Sequence, residues 1–455
     1  MNRGFRWSSQ NLWSRLYRTL GQSENSLLLR IAGVTALSGL ALRFVVLFLS
    51  GNRQVGPFSG VGDQIRYSTL ADSINEGRGF TYAGQPTALR PPLYPLLLAA
   101  SHSVFGSNYL LAVRIFQFLI GIAVAYLCFL VADGLFGIVA GAMAAAIALS
   151  LPTLVFISVE LQTEQLAAFL TLLFLRSLLG ETQRKKNAAL GMGVTSGLVS
   201  LVRFNGAILP IVGAFICLWS RRSLRHAVVV CIVAGLLLFP WIVRNAEVFH
   251  GSVFFSTHGG INLLEGVLTP DGRAQNGEGE LIRQKIGWLH TDIEVNSPHR
   301  LLFPDEDQLD KQARIAAIAA WQDLDWKSVF RLLSRKVFNF WLSTDQLFGT
   351  KSFSPTQRKL RVAGVVVYWI VLVLAIVGWI QLFFSSRDLA ITILCYAVIV
   401  TAAHLPFVMN TRLRIPFFDP LLTILAAGGF LAVCAPQIKI RMSRFQSGDC
   451  PAEAS

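Results

Sequence analysis

Three acids and a few arginines are the residues of this chain whose types and spacing suit chemistry. Asp63 follows Gly62 and opens a stretch in which Tyr67, Leu70, Ala71 and Ile74 fall on one helical face. Asp72, Ser73, Asn75 and Glu76 lie toward the other. A carboxylate there satisfies free amides and suits the helix dipole; it equally suits a general base that takes a proton from a hydroxyl. Glu160 and Glu164 follow Pro152, spaced i, i+4 on one helix face. Acids at membrane depth are costly and mark function, although both also fit interfacial water, with Glu164 near a helix N-terminus. Arg90 heads the run Arg90-Pro91-Pro92-Leu93-Tyr94-Pro95. Arg244-Asn245 ends an apolar run just after Pro240-Trp241, where a fixed guanidinium would grip a phosphate bidentately or snorkel beside the tryptophan. The segment Thr257 to Leu264, with Gly259-Gly260 and Asn262, offers close backbone approach to a ligand, a pattern also found in plain turns. Arg412 and Arg414 are further cations, and His404 fits a proton relay or a hydrogen-bonded structural histidine.

Other chemistries find no support. The 7 histidines show no HxH or HExxH spacing, and the 6 cysteines show no CxxC. No phosphate loop or dinucleotide fingerprint occurs. No cofactor is therefore expected, a divalent metal being the one left open, and no disulfide framework.

These residues must be positioned by a membrane-embedded scaffold. The chain is 53% hydrophobic and 15% charged, with mean hydropathy +0.53, against ~25% charge in soluble domains. The net charge of +14 comes from basic residues flanking apolar runs, which encode orientation rather than nucleic-acid binding. The expected fold class is an all-α polytopic membrane protein of about ten transmembrane helices. The apolar runs lie at roughly 26–50, 108–132, 134–151, 163–179, 188–202, 204–220, 225–243, 362–384, 388–408 and 415–435. Segment 92–106 is apolar but short and reads as re-entrant or interfacial. The first run is too long for a cleaved signal and lacks a small-residue cleavage site. Basic residues at Arg3, Arg6, Arg15, Arg18, Arg184 to Lys186, Arg221, Arg222, Arg225, Lys439, Arg441 and Arg444 then share one side. Residues 1–25 and 437–455 read as cytoplasmic, and 26–436 as the membrane domain. Its outward polar segments are a first loop, 51–92, and a long loop, 245–361. The long loop carries turn signals at Asp271-Gly272 and Asn276-Gly277, then helical patterns from Gln308 to Trp326 and through Val329 to Trp341.

In order and common placement, Gly62-Asp63 with Tyr67 and Ala71, Arg90 to Pro95, Pro152 through Glu164, Pro240-Trp241 with Arg244-Asn245, Gly260 to Leu264 and Arg412 to Pro416 resemble one family. It is that of the polyprenyl-phosphate-dependent glycosyltransferases of the C-type fold, such as lipid A aminoarabinose transferases, protein O-mannosyltransferases and rhizobial lipopolysaccharide glycosyltransferases. The resemblance implies a sugar donor on a polyprenyl phosphate and a glycan, lipid or protein acceptor. It implies an inverting transfer at the outer face of what is expected to be a bacterial inner membrane. Asp63 matches the family's base and Glu164 its supporting acid. Tyr67, Arg90, Tyr94, Glu160, Arg244, Asn245, Asn262 and Arg412 are the expected substrate contacts. Many relatives carry an Asp-Glu pair where this chain has Asp63-Gln64. The rival class is a lipid or sugar transporter or flippase, which predicts polar residues near mid-membrane and repeated halves.

Overall fold

The computed structural model describes residues 23–53, 61–82, 84–268, 306–343, 355–409 and 411–446. The N-terminal arginines, the turn signals at Asp271-Gly272 and Asn276-Gly277, and Cys450 lie outside the described residues. In chain order the helices are α1 (Ser23–Ser50), α2 (Val61–Asn75), α3 (Leu93–Phe105), α4 (Tyr109–Phe136), α5 (Ile138–Ser150), α6 (Pro152–Ile157), α7 (Glu164–Thr182) and α8 (Ala188–Val202). Next in the chain come α9 (Ile208–Arg221), α10 (Leu224–Val248), α11 (Gly259–Leu268), α12 (Glu306–Gln322), α13 (Trp326–Leu342), α14 (Pro355–Ser385), α15 (Arg387–His404) and α16 (Thr411–Gln446). A hairpin of β1 (Thr81–Tyr82) and β2 (Gln85–Pro86), paired antiparallel with Thr81 opposite Pro86, interrupts the first loop.

All ten expected apolar segments are helical. Among the described residues, eight apolar helical stretches are long enough to cross a membrane, while α5 and α8, at 13 and 15 residues, are shorter. Segment 92–106 proves to be α3, which runs through a 3-10 turn at Gly106–Asn108 into α4. One boundary is corrected: the helix that carries the apolar run expected at 415–435 already starts at Thr411, so Arg412 and Arg414 belong to it. Tertiary bonds extend α16 beyond its apolar run, since Thr411 Oγ1 and Arg414 Nη1 both donate to Ser343 O at 3.2 Å.

The main core lies among α4 to α9 and α14 to α16. Lipid gives little hydrophobic drive between helices, so close backbone approach does the work. At the crossing of α14 and α16, a Cβ on Gly378 would strike the Leu425 carbonyl, and one on Gly429 the Leu374 carbonyl. Only glycine fits at both. The buried Arg43 of α1 caps the C-terminal end of α5, donating to Ala148 O at 2.8 Å and Leu149 O at 2.9 Å, where the helix dipole favours a cation.

Candidate active site

Five parts of the chain converge at one end of the bundle. They are the first turn of α2, the Arg-Pro-Pro run before α3, the 158–163 connection entering α7, the residue ending α8, and the first turn of α16. Arg412, on α16, is the hub. Its Nε and Nη2 donate to Glu164 Oε1 at 2.9 and 2.7 Å, Nη2 also reaches Gln162 Oε1 at 3.0 Å, and Nη1 reaches Asp63 Oδ2 at 3.2 Å. The other oxygen of Asp63 accepts from Arg90 Nη2. Arg203, which caps α8, lies 3.2 Å from Glu164 Oε1 and donates to Thr163 Oγ1 at 2.8 Å. Arg114 of α4 braces the same connection through Val159 O at 2.9 Å.

Exposure separates the two acids. The Glu164 side chain is 1% exposed, whereas those of Asp63 and Arg412 are 26% and 32% exposed. A substrate can therefore reach Asp63, while Glu164 sits behind Arg412 and holds it. Burial pushes the Asp63 carboxyl up, but the Arg90 and Arg412 guanidiniums outweigh burial and hold it well below the usual carboxylate range. Asp63 is thus always charged near neutrality, and a weak base while both arginines grip it.

The aromatic residues form one wall. The rings of Tyr67 and Tyr94 meet edge to face at 5.0 Å, and the Arg90 guanidinium stands 5.8 Å over Tyr67. Tyr94 Oη, Arg90 Nε, Gln162 Nε2 and Glu164 Oε2 are buried without a hydrogen-bond partner. Such atoms are rare in folded chains and are satisfied by water or an incoming group. Glu160 is buried and accepts from Gln64 Nε2 at 2.7 Å. The residue beside Asp63 is thus an amide that binds an acid from another loop.

The structure thus gathers Asp63, Tyr67, Arg90, Tyr94, Glu160, Glu164 and Arg412. Arg244, Asn245 and Asn262 belong to different contacts. Arg244 donates to Thr87 O at 2.8 Å, Asn245 Oδ1 at 2.9 Å and Phe80 O at 3.0 Å, and packs on Phe80, Trp241 and Phe249. Asn245 reaches Phe254 O at 3.2 Å. Both strap the first loop to the segment between α10 and α11. Asn262 offers its backbone carbonyl to Val408 N at 2.9 Å.

Four neighbours were not singled out from the sequence. Arg203 and Gln162 bind the hub directly. His258 feels the Asp63, Arg90 and Arg66 charges, and burial first, then Arg90 and Arg66, push its imidazole down to about 3. Glu306 gathers Thr87 Oγ1 at 2.7 Å, Thr257 Oγ1 at 2.8 Å and Ala88 N at 3.2 Å, pinning the loop that carries Arg90.

The two oxygens of Asp63 accept from Arg90 and Arg412, Glu164 faces Arg412 and Arg203, and the described residues hold no group of three His, Cys, Asp or Glu suited to a metal.

Residues 89–243 match the family model of dolichyl-phosphate-mannose-protein mannosyltransferases. No curated protein matches the chain. Among solved structures, the oligosaccharyltransferase AglB of Archaeoglobus fulgidus, in complex with an inhibitory peptide and a dolichol-phosphate, superposes with TM-score 0.55 at 16% identity. That match covers 97% of this chain and 53% of AglB. The apo form from the same organism gives TM-score 0.55 at 17% identity, with the same coverage. ArnT of Cupriavidus metallidurans, bound to undecaprenyl phosphate, gives TM-score 0.38 at 16% identity over 94% of this chain and 81% of its own. The chain spans about half the length of the archaeal relatives. Family match and archaeal likeness bear out the resemblance: the fold is that of the C-type polyprenyl-phosphate-dependent glycosyltransferases.

Proposed function

We propose that this protein transfers one sugar from a polyprenyl-phosphate donor to an acceptor hydroxyl on a glycan, lipid or protein, with inversion and without a resident cofactor. The observation that carries this reading is Asp63, partly exposed and held between Arg90 and Arg412. The donor's phosphate is already a leaving group, so guanidiniums that bind it as charge develops lower the barrier. Arg90 and Arg412 supply that charge, Glu164 and Arg203 keep Arg412 in place, and Asp63 accepts the acceptor's proton. When a phosphate draws Arg90 and Arg412 away, Asp63 becomes a stronger base at the moment it is needed. One reachable carboxylate suits a single displacement. Arg244, with its bonds to three oxygens, acts in this scheme as the strap that holds the Arg90 loop.

The site faces outward in this reading, since the cluster lies at the end of α7 opposite Arg184 to Lys186. In a background without native cysteines, a cysteine at the exposed Asn75 is expected to label with an impermeant thiol reagent, and one at the exposed Asn187 is not. The reverse pattern would overturn the orientation. The activity itself is tested by mass spectrometry of envelope glycans from cells carrying the wild type or Asp63→Asn. The expected result is one added sugar in the former alone. Identical glycans, with lipid-linked sugar moved across the membrane instead, would establish a flippase.

A further inference from the structure

Lys336 of α13 is fully buried, yet its Nζ meets no carboxylate among the described residues. It donates to Leu405 O at 2.8 Å and Phe407 O at 2.9 Å, and stands 5.3 Å over the Trp321 ring. Burial alone pushes the ammonium down to about 7. A buried charge without an ionic partner is expensive, and a methionine would fill the same volume at less cost.

The carbonyls it holds belong to the short connection between α15 and α16. That connection is clamped from other sides as well. Val408 N donates to Asn262 O, a Cβ on Gly266 would strike the backbone of Pro406 and Phe407, and Asn205 Nδ2 lies 2.9 Å from His404 Nε2. The far side of the connection is held by α13 again, because Arg414 Nη1 donates to Phe340 O at 3.0 Å and Thr411 Oγ1 to Ser343 O. One helix therefore grips both the stretch before α16 and its first turn. Arg412, which joins Asp63 to Glu164, lies in that turn.

We infer that Lys336 is a positioning residue, a splint that fixes the start of α16 and thereby where Arg412 meets Asp63 and Glu164. The inference rests on the reading of Arg412 as a contact of the donor phosphate. Two carbonyls held by one ammonium resist rotation of the connection, which an apolar side chain would allow. Misplacing a site residue by about 1 Å costs up to ~10²-fold.

The test uses the full chain in nanodiscs and, as probe, polyprenyl-phosphoryl-glucose, a phosphodiester with no proton to lose near neutrality. Lys336→Met is expected to weaken probe binding roughly 10- to 100-fold, with a cooperative thermal melt retained, and Lys336→Arg to restore most of it. Gly266→Ala, which pushes the same connection from the opposite side, is expected to reproduce the loss if Lys336→Met does not fold. Added to Arg412→Gln, Lys336→Met is expected to cause no further loss, because residues acting through one contact are non-additive. Additive losses, or wild-type affinity in folded Lys336→Met, would overturn the splint. Wild-type affinity in Arg412→Gln alone would bring down the donor-phosphate reading itself, and the splint with it.

Discussion

Helix α7 carries a buried acid near each end, and the two ends behave differently. Glu164 and Glu181 are both 0% exposed, and each faces two basic side chains. At the far end, Glu181 Oε1 lies 2.7 Å from His226 Nδ1 and 3.3 Å from Arg221 Nε. Both partners flank the single turn joining α9 to α10, where Ser223 Oγ also accepts from His226 N. That cluster closes on itself and ties one hairpin to one helix. At the near end, partners come from α8 and α16, and Arg412 is shared with a second acid that remains partly open. A buried ion pair is weak evidence of function, because burial costs as much as pairing returns. A cation divided between a sealed acid and a reachable one is stronger evidence, since the reachable acid can be exchanged for a ligand.

The largest expected effect is at Asp63. Asp63→Asn keeps the shape but removes the base, and transfer is expected to fall about 10²–10⁴-fold in a normally folded protein. Near-wild-type turnover would put the two ends of α7 on an equal footing. The pH dependence sharpens this. A carboxyl with a lowered folded-state value stabilises above its unfolded value of about 4 and loses that only as pH falls through the lower folded one. In the donor-free protein Asp63 therefore stays charged and paired from pH 5 to 8, and an acid limb of kcat/KM near pH 6 would belong to another group.

Next is Arg412→Lys, which keeps the charge but loses directed bonds to Glu164, Gln162 and Asp63. Hydrogen bonds to charged groups contribute roughly 1.5–3 kcal/mol each, so donor binding measured by titration is expected to fall about tenfold or more. Equal affinity would show that charge alone suffices. Arg244→Lys is expected to matter less, because its partners are a side-chain amide and backbone carbonyls of the loop strap. A loss as large as that of Arg90→Lys would instead place the donor phosphate at Arg244. The smallest effect on chemistry is expected at Glu181→Gln, with a lower melting temperature but turnover per folded molecule near wild type. A comparable loss of turnover would erase the contrast between the two ends.

Much of the site could be read from the sequence because helix geometry carries it. Asp63 and Tyr67 share a face by spacing alone, and Glu164 sits where an apolar run begins. Arg412 was visible as a charge beside a membrane run, though its helix was not, because bonds from Thr411 and Arg414 to the carbonyls of Ser343 and Phe340 set that boundary. Arg244 and Arg203 carried the same signal, a guanidinium away from the basic side. That signal says the cation is used, but not by what: Arg203 meets Glu164 and Arg244 meets carbonyls. Glu306 had no local signal, since its partners Thr87, Ala88 and Thr257 are far away in the chain.

The glycine crossing of α14 and α16 has a mechanical consequence. Gly429 lies on the same helix as Arg412, about 26 Å away at 1.5 Å per residue, and no side chain fits between the backbones there. The crossing is the fulcrum of a rod whose tip holds Arg412. A single methyl group at Gly429, buried between two helices and far from Asp63, would lever that tip out of register with Asp63.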